Sequence, residues 1–360
     1  MTPRQRVLTA AAHREPDRLP LFKPNVIQMR QPFPQPVQRL YDEFPFDDLG
    51  GVGVLTGSPA ARREVAPDTF VDDYGCRFEY KGVGLPYCVH SPLATAESVA
   101  EVERFPWPDP DRYELRPDAR ERARRAAESG ERALNVGVDM FVHRYQYLRG
   151  FAQHLMDVKL HPDLHDAISA RLLELNTTLI MRVLDAVGEF VDLVSTGDDL
   201  GTSTAPYMSL ADFRRFIKPY YKQLIGNIKR RFPHIRFYLH SHGQIMDYVP
   251  DLIECGVDIL NPVLPLDHMD PVRLKRDFGD SLTFHGGIDI ERIVPYGTVA
   301  EVRDHVRRVI DVLAPGGGYW FKAQAISPLM PPENVLACYE TALEVGDYQE
   351  GVVKPTLPTA

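Results

Sequence analysis

The second half of the chain alternates between short apolar runs and longer stretches in which apolar residues return every three or four positions. Short apolar runs are typical of buried strands, and the longer spacing is typical of amphipathic helices. The predicted strands are residues 133–141, 190–201, 235–243, 257–263, 281–289 and 318–327. The predicted helices are residues 155–187 (one helix or two), 209–232, 244–256, 270–279, 298–317 and 331–346. This alternation predicts an α/β protein with a parallel sheet.

The first half of the chain has a weaker pattern. Residues 2–13 predict a helix, residues 19–22 predict a short strand, and residues 51–110 hold only short strand signals. Ser209 is the expected N-cap of one long helix, and Gly256 is expected to end another. A closed (β/α)8 barrel and an open doubly wound sheet both fit this order of elements. The glycine-rich phosphate-binding motifs are absent from the sequence, which weakens the nucleotide-binding versions of the open sheet.

Polar residues follow the predicted strands at their carboxyl ends. They are Asp198, Asp199, His240, His242, Asn261, His285, Asp289 and Gln324. In a barrel, the carboxyl ends of several strands form one rim, where catalytic residues of different strands meet. We therefore expect these side chains to lie at one candidate site.

The segment FYLHSHG carries the sharpest signal in the chain. Side chains on a strand alternate between its faces, so His240 and His242 point the same way and Ser241 points the other way. Two imidazoles on one face suit a pair of metal ligands or a polar clamp on a substrate. The alternative is that each ring only hydrogen-bonds a neighbouring loop.

Composition narrows the class of partner. The chain has 360 residues and a net charge of −9, which argues against a nucleic-acid partner held by electrostatics. Its 4 cysteines form no CxxC pair, as is typical of a reduced intracellular protein. The sequence shows no signal peptide and no apolar run of about 18 residues, so we expect no membrane span and a cytoplasmic location.

Several segments resemble the uroporphyrinogen decarboxylase-like family. They are GDDLGT, LHSHG, GVDILN, HGGIDI, GGGYWF and PPENVLACYETA, together with the opening TPRQRVLTAAAHREPDRLPL. They cover most of the chain and keep their order. The resemblance implies a single distorted (β/α)8 TIM barrel with an N-terminal extension, spanning residues 1–350, followed by a loose tail at residues 351–360.

The family has a decarboxylase branch and a methyltransferase branch. The decarboxylases act on uroporphyrinogen without a cofactor and carry an arginine-rich MRQAGR motif and an FSDI aspartate. This chain reads MRQPFP at residues 29–34, and FDDLGGVGVL at residues 46–55 is its nearest stretch to FSDI. Arginines pair with carboxylates in bidentate fashion, so their scarcity makes this branch the weaker alternative.

The methyltransferase branch moves methyl groups to or from a corrinoid protein, usually with zinc held by an H-x-C motif and a later cysteine. His242 stands at the first cysteine position, and residues 322–324 occupy the region of the second. The resemblance then implies a nitrogen and oxygen site for Zn²⁺ or another divalent ion. Its expected ligands are His240, His242, His285 and Asp199, with Asp198 as the alternative carboxylate.

The resemblance and the rim pattern together imply roles for the remaining polar residues. Asp198, Asp199, His240 and His242 are the expected catalytic residues, although one aspartate could instead cap a helix. The expected substrate-binding residues are His143, Arg144, Tyr145, Tyr147, Asn261, His285, Asp289 and Gln324. Ordinary packing is the alternative for the residues of the MFVHRYQYLRG segment.

The predicted function is a metal-dependent methyltransferase or O-demethylase that moves a methyl group between a small substrate, with an aromatic ether as one option, and a corrinoid protein. Neutral imidazoles in place of thiolates would leave the metal a stronger Lewis acid, suited to polarising an ether oxygen. The alternatives are a cofactor-free decarboxylase of uroporphyrinogen or a related ring, and a non-catalytic protein that binds a corrinoid or a small molecule. A homodimer is left open.

Overall fold

A curled parallel sheet forms the centre of the molecule. The computed structural model describes residues 1–30, 32–81, 85–324, 327 and 329–348. The strands within these ranges are β1 (Gly50–Gly51), β2 (Arg63–Ala66), β3 (Thr69–Val71), β4 (Arg77–Glu79), β5 (Tyr87–His90), β6 (Leu134–Gly137), β7 (Leu193–Gly197), β8 (Arg236–His240), β9 (Ile259–Asn261), β10 (Thr283–His285) and β11 (Tyr319–Trp320). Seven of them form the parallel sheet in the order β1-β6-β7-β8-β9-β10-β11.

Helices cover the outer face of this sheet. They are α1 (Pro3–Ala10), α2 (Pro34–Glu43), α3 (Val99–Arg104), α4 (Ala119–Ser129), α5 (Val142–Arg149), α6 (Phe151–Leu160), α7 (Pro162–Val187), α8 (Leu210–Asp212), α9 (Lys218–Arg231), α10 (Val249–Cys255), α11 (Pro271–Phe278), α12 (Ile293–Tyr296), α13 (Val299–Leu313) and α14 (Pro332–Val345). Short 3-10 turns lie at Ile27–Met29, Pro110–Arg112, Gly188–Phe190, Met246–Tyr248 and Pro265–Asp267. The predicted alternation of strands and helices is thereby confirmed as an α/β fold.

The two edges of the parallel sheet are connected through residues 20–22. The Phe22 amide donates to the Phe321 carbonyl at 2.9 Å, and the Phe321 amide donates to the Pro20 carbonyl at 2.9 Å. On the other side, the Asp47 amide donates to the Leu21 carbonyl at 2.7 Å, three residues before β1. Residues 19–22, which were predicted as a strand, therefore make a single parallel bridge, Leu21 to Phe321. Each edge of the sheet offers this segment only one or two hydrogen-bond partners.

Two apolar layers lie on opposite faces of the sheet. The inner layer contains Val7, Phe22, Leu193, Ile259 and Trp320, which fill the concave face near its amino-terminal end. The outer layer packs the helices against side chains of the opposite orientation. Side chains alternate along each strand, and polar residues occupy the inner face only towards the carboxyl ends of the strands.

The segment between β1 and β6 holds a second, antiparallel sheet in the order β2-β3-β4-β5. The sequence predicted only short strand signals here. Its register is irregular between Glu64 and Ala66 and again between Arg77 and Phe78, so period-2 alternation is interrupted. In the part of the chain that the structure describes, no helix combines the length and the apolar character needed to cross a bilayer.

The long helix predicted for residues 209–232 is interrupted. Ser209 caps its start as predicted, accepting a hydrogen bond from the Asp212 amide. A π-helical turn, Phe213–Ile217, then separates α8 from α9. Pro219 follows that turn and has no amide hydrogen to donate, which removes one regular helical hydrogen bond. Gly256 ends α10 with a φ of 100°, as predicted. The predicted tail, residues 351–360, lies outside the described residues.

Candidate active site

Histidine and asparagine side chains meet at the carboxyl ends of neighbouring strands. His240, Asn261 and His285 are the last residues of β8, β9 and β10. The register pairs Gly197 with His240 and His240 with Asn261, so their side chains share one face of the sheet. Gly197 packs directly beside His240, since a Cβ added at position 197 would lie 3.6 Å from the His240 side chain, in ordinary van der Waals contact.

Asn261 connects three parts of this rim. Its Nδ2 donates to the His285 carbonyl at 2.8 Å and to Gln324 Oε1 at 3.1 Å, and its Oδ1 lies 2.5 Å from His240 Nδ1. An amide oxygen only accepts hydrogen bonds, so the proton of neutral His240 is on Nδ1 and the lone pair is on Nε2. Burial lowers the pKa of His240 although Asn261 opposes this shift. Asn261 therefore orients His240; it was predicted to bind substrate, but its amide is occupied within the rim.

His242 lies beside two carboxylates. Its amide donates to Asp199 Oδ1 at 2.8 Å, and its Nδ1 lies 3.7 Å from Asp267 Oδ2. Burial alone would lower the pKa of His242, but Asp267 and Asp199 outweigh it and the pKa is raised. The His240 and His242 rings are 5.0 Å apart between centroids. Sequence reasoning missed Asp267, because it lies in a short 3-10 turn 25 residues further on with no motif around it.

Asp198 and Asp199 have different surroundings. Asp198 is fully buried and accepts hydrogen bonds from the amides of Phe141 (2.8 Å) and His143 (2.9 Å) and from the Tyr221 hydroxyl (2.6 Å). Burial raises its pKa against these donors and the nearby His143. Asp198 thus has a structural role at the start of α5, a helix that precedes it in the chain.

Asp199 faces the open side of the rim. Its Oδ2 lies 3.6 Å from His143 Nε2, while its Oδ1 accepts from the His242 amide. Its side chain keeps 29% of its exposure. Of the two adjacent carboxylates, Asp199 is the one that a bound molecule can reach.

Helix α5 presents His143 and Tyr147 on one side, because residues four positions apart share a helix face. Their rings are nearly parallel, with centroids 6.0 Å apart. Arg144 points away and is buried between Asp72 (2.5 Å) and Asp139 (2.9 Å), and the Tyr145 hydroxyl donates to buried Asp157. The structure therefore gives Arg144 and Tyr145 partners within the fold, in place of the substrate contacts predicted for them.

His285 and Asp289 also have different surroundings, and only His285 lies on the inner face of the sheet. His285 lies on the inner face among Phe22, Trp320 and Tyr238, with its Nδ1 3.2 Å from the Tyr238 hydroxyl. Its Nε2 is buried and has no hydrogen-bond partner in the described part of the chain. Asp289 instead accepts from the amides of Glu291 and Arg292, so it stabilises the turn before α12.

The predicted metal ligands are not assembled into a metal site. Among residues 1–30, 32–81, 85–324, 327 and 329–348, no group of three or more His, Cys, Asp or Glu side chains is arranged to hold a metal ion. His242 turns its Nδ1 towards Asp267, and His285 is packed between aromatic rings. In this arrangement the residues do not fit the expected four-ligand set.

A cavity of about 220 Å³ opens beside the rim, where the residues after β1 and β6 meet α7. Its lining is mainly apolar and includes Leu55 and Ile180, with three polar side chains, Ser58, Asp139 and Asn176. The Asn176 amide donates to the Asp139 carbonyl at 3.1 Å and to the Tyr220 hydroxyl at 2.6 Å. Because its polar groups are partnered within the fold, the rim histidines remain the better candidate for chemistry.

Comparison with known proteins assigns the family. Residues 69–345 match the family described as uroporphyrinogen decarboxylase (URO-D). The chain therefore belongs to the uroporphyrinogen decarboxylase family, as the sequence resemblance indicated. The fold is similar to that of a methyltransferase from Methanosarcina mazei, with a TM-score of 0.62, 16% sequence identity, and coverage of 96% of this chain and 99% of that one.

Curated relatives match over a shorter region. A uroporphyrinogen decarboxylase of Thermus thermophilus is 28% identical over 184 residues, which is 50% of each chain. One of Gloeobacter violaceus is 22% identical over 183 residues, 50% of this chain and 48% of the relative. The chain thus matches about half the length of these relatives, and their activity is carried over only as a proposal.

Proposed function

We propose that this protein transfers a methyl group from a small methyl ether to a reduced corrinoid carried by a partner protein. The observation that carries the proposal is the pair of imidazoles at the rim. His240 is held by Asn261 with the lone pair of its Nε2 free, and His242 lies between Asp199 and Asp267. One ring is thus set up to accept and the other to donate a proton.

The two rings suit the bond changes of demethylation. The methyl carbon forms a bond to the nucleophile while its bond to the ether oxygen breaks, and both electrons of that bond remain on oxygen. Protonated His242 donates its proton to this oxygen, and Asp199 and Asp267 stabilise the imidazolium beforehand. His143 with Tyr147 forms a flat wall beside Asp199, and His240 adds an acceptor nitrogen, Nε2, at the same rim.

Methyl transfer is tested with reduced cobalamin as acceptor and a panel of phenyl methyl ethers. Formation of methylcobalamin is followed by absorbance for wild type, His242→Gln and the exposed control His161→Gln. We expect His242→Gln to lower the rate 10²–10⁴-fold, the usual range for loss of general acid catalysis. Equal rates for wild type and His242→Gln would overturn the role of His242.

The divalent metal is tested separately, and no step above uses it. Elemental analysis is made on protein purified without a histidine tag, for wild type and His242→Ala. Near-stoichiometric zinc that is lost in His242→Ala would mean that His242 turns away from Asp267 to bind metal. Metal-free protein with full methyl-transfer activity would remove zinc from the proposal.

Decarboxylation of uroporphyrinogen is the second candidate function. The names of the matched relatives favour it. Against it, Arg30 of the MRQPFP segment is exposed and lies against the Tyr41 ring, 5.9 Å from its centroid. Conversion of uroporphyrinogen by the purified chain would establish this function, and binding of ethers or cobalamin without turnover would favour the non-catalytic alternative.

We also propose that the sheet closes into an eight-membered barrel, with residues 20–22 as the eighth member between β11 and β1. The hydrogen bonds of Phe22, Phe321 and Asp47 support this closure. Four other predictions remain expectations. They are the N-terminal extension, the single-domain boundary at residue 350, the cytoplasmic location and the homodimer.

A further inference from the structure

Lys322 brings a positive charge to the inner face of the rim. Trp320, two residues earlier, belongs to the inner apolar layer, whereas Phe321 between them belongs to the outer layer. Side-chain alternation therefore directs Lys322 to the inner face, and its side chain is largely buried there. The proposed methyl transfer does not use Lys322.

Among the residues that the structure describes, none pairs with the ammonium of Lys322. Within the described ranges it makes neither a hydrogen bond nor an ion pair of 4.0 Å or less, although most buried charges are paired. The carboxylate that influences it is Asp48, and Asp48 is already engaged by Lys23 through the Lys23 amide at 2.8 Å and Nζ at 3.5 Å. A largely buried, unpaired ammonium is a group that a ligand can neutralise.

His285 supplies a second unpartnered group in the same space. Only 3% of its surface is exposed, and its Nε2 has no hydrogen-bond partner among the described residues. When the Tyr238 hydroxyl donates to His285 Nδ1, the proton of the neutral ring is on Nε2, which makes this atom a donor. The register pairs His285 with Trp320, so Lys322, the next inner-face residue after Trp320, follows directly beyond His285. Burial is the main cause that lowers the pKa of His285 and of His240, and the charge of Lys322 adds to both shifts.

We propose that Lys322 and His285 Nε2 bind a carboxylate of the substrate, which makes the substrate a methyl ether that also carries a carboxylate group. The ether part of this inference rests on the proposed methyl transfer, whereas the carboxylate site does not. A cation at His285 would meet the ammonium of Lys322, so an anion is the complementary ligand. A single ammonium with a single N–H donor matches the charge of one carboxylate better than that of a phosphate dianion.

The test compares two aromatic methyl ethers that differ only by a carboxylate group. Binding of 4-methoxybenzoate and of uncharged methoxybenzene to the full chain is measured by calorimetry in a phosphate-free buffer at pH 7. We expect 4-methoxybenzoate to bind at least tenfold more tightly to wild type, and Lys322→Met to remove this preference. Lys322→Arg is expected to keep part of it, and the exposed control Lys81→Met to keep all of it.

Asp48→Asn gives a second variant whose expected effect has the opposite sign. Removing the negative charge near Lys322 should tighten binding of 4-methoxybenzoate severalfold and leave methoxybenzene unchanged. Equal affinity of the two ligands for wild type, unchanged preference in folded Lys322→Met, or equally tight binding of inorganic phosphate would each overturn the proposal. A retained carboxylate preference without methyl transfer to cobalamin would overturn only the proposed function.

Discussion

His240 and His242 are two residues apart, yet their surroundings shift their pKa values in opposite directions. His240 has a neutral amide as partner and its pKa is lowered mainly by burial. His242 has Asp267 and Asp199 beside it, and its pKa is raised despite burial. Two identical side chains can therefore take different parts in one reaction, since the protonation state is decided by neighbours that lie far away in sequence.

Asp267→Asn tests this division at a single residue. Removing the carboxylate should lower the pKa of His242, because its charge favours the imidazolium. If methyl transfer requires protonated His242, the alkaline limb of the pH–rate profile should move to lower pH by about one pH unit. The profile is measured for wild type and Asp267→Asn, with the His242 ring followed by NMR. If the NMR titration of His242 moves and the pH–rate profile does not, protonation of His242 does not control the rate.

Asp198 carries the link between strand β7 and helix α5. Three donors converge on its buried carboxylate, so Asp198→Ala leaves two backbone amides and one hydroxyl unsatisfied. We expect a loss of roughly 3–9 kcal/mol in the free energy of unfolding, since each of the three unsatisfied buried groups costs about 1–3 kcal/mol. Tyr221→Phe removes only one donor and should cost about 1 kcal/mol. Urea denaturation of both variants measures the difference.

Equal losses in the two variants would contradict a shared role of the three donors. NMR spectra of His143 in the same two variants would show whether the start of α5 moves. A structural role predicts that the His143 resonance changes in Asp198→Ala and stays in place in Tyr221→Phe.

At the scale of elements, the sequence was informative where one segment determines its own structure. The alternation of strands and helices, the cap at Ser209 and the end at Gly256 are local properties, and they were confirmed. The rings of His240 and His242 lie close together, 5.0 Å apart between centroids, although β8 ends at His240 and His242 follows it in the loop. The roles predicted for Arg144, Tyr145 and Asp289 failed to find support, because their partners Asp72, Asp157 and His305 are set by the tertiary fold.

The antiparallel sheet β2–β5 and the π-helical turn escaped prediction for physical reasons. The sheet consists of strands of 3 or 4 residues with two irregularities in register, too short for alternation to be recognised. The π-helical turn depends on one proline within an otherwise continuous amphipathic pattern. The position of Asp267 beside His242 also depends on residues that are far apart in sequence. The same is true of the lack of a partner for Lys322 among the described residues, and no local motif indicates either feature.

At the scale of the whole molecule, acid stability is expected to depend on two buried histidines on the outer helices. The His165 ring stacks on Tyr145 and the His154 ring packs against it at a tilt, with ring centroids 4.8 Å and 4.5 Å from the tyrosine ring. Burial lowers the pKa of His154 to about 3, with His165 adding to the shift, and lowers that of His165 to about 4. The Nε2 atoms of both rings are buried without a hydrogen-bond partner in the described chain.

The sign of the pH dependence follows from proton binding. Between about pH 6.5 and pH 4 the unfolded chain protonates these rings and the folded chain does not, so stability falls as the pH falls through this window. At pH 5 each ring should cost roughly 2 kcal/mol relative to pH 8. His154→Phe keeps an aromatic ring and removes one titration, so it should lose less stability between these pH values than wild type. Urea unfolding at both pH values, with the exposed control His161→Gln, measures this, and identical losses in all three proteins would place the acid sensitivity elsewhere.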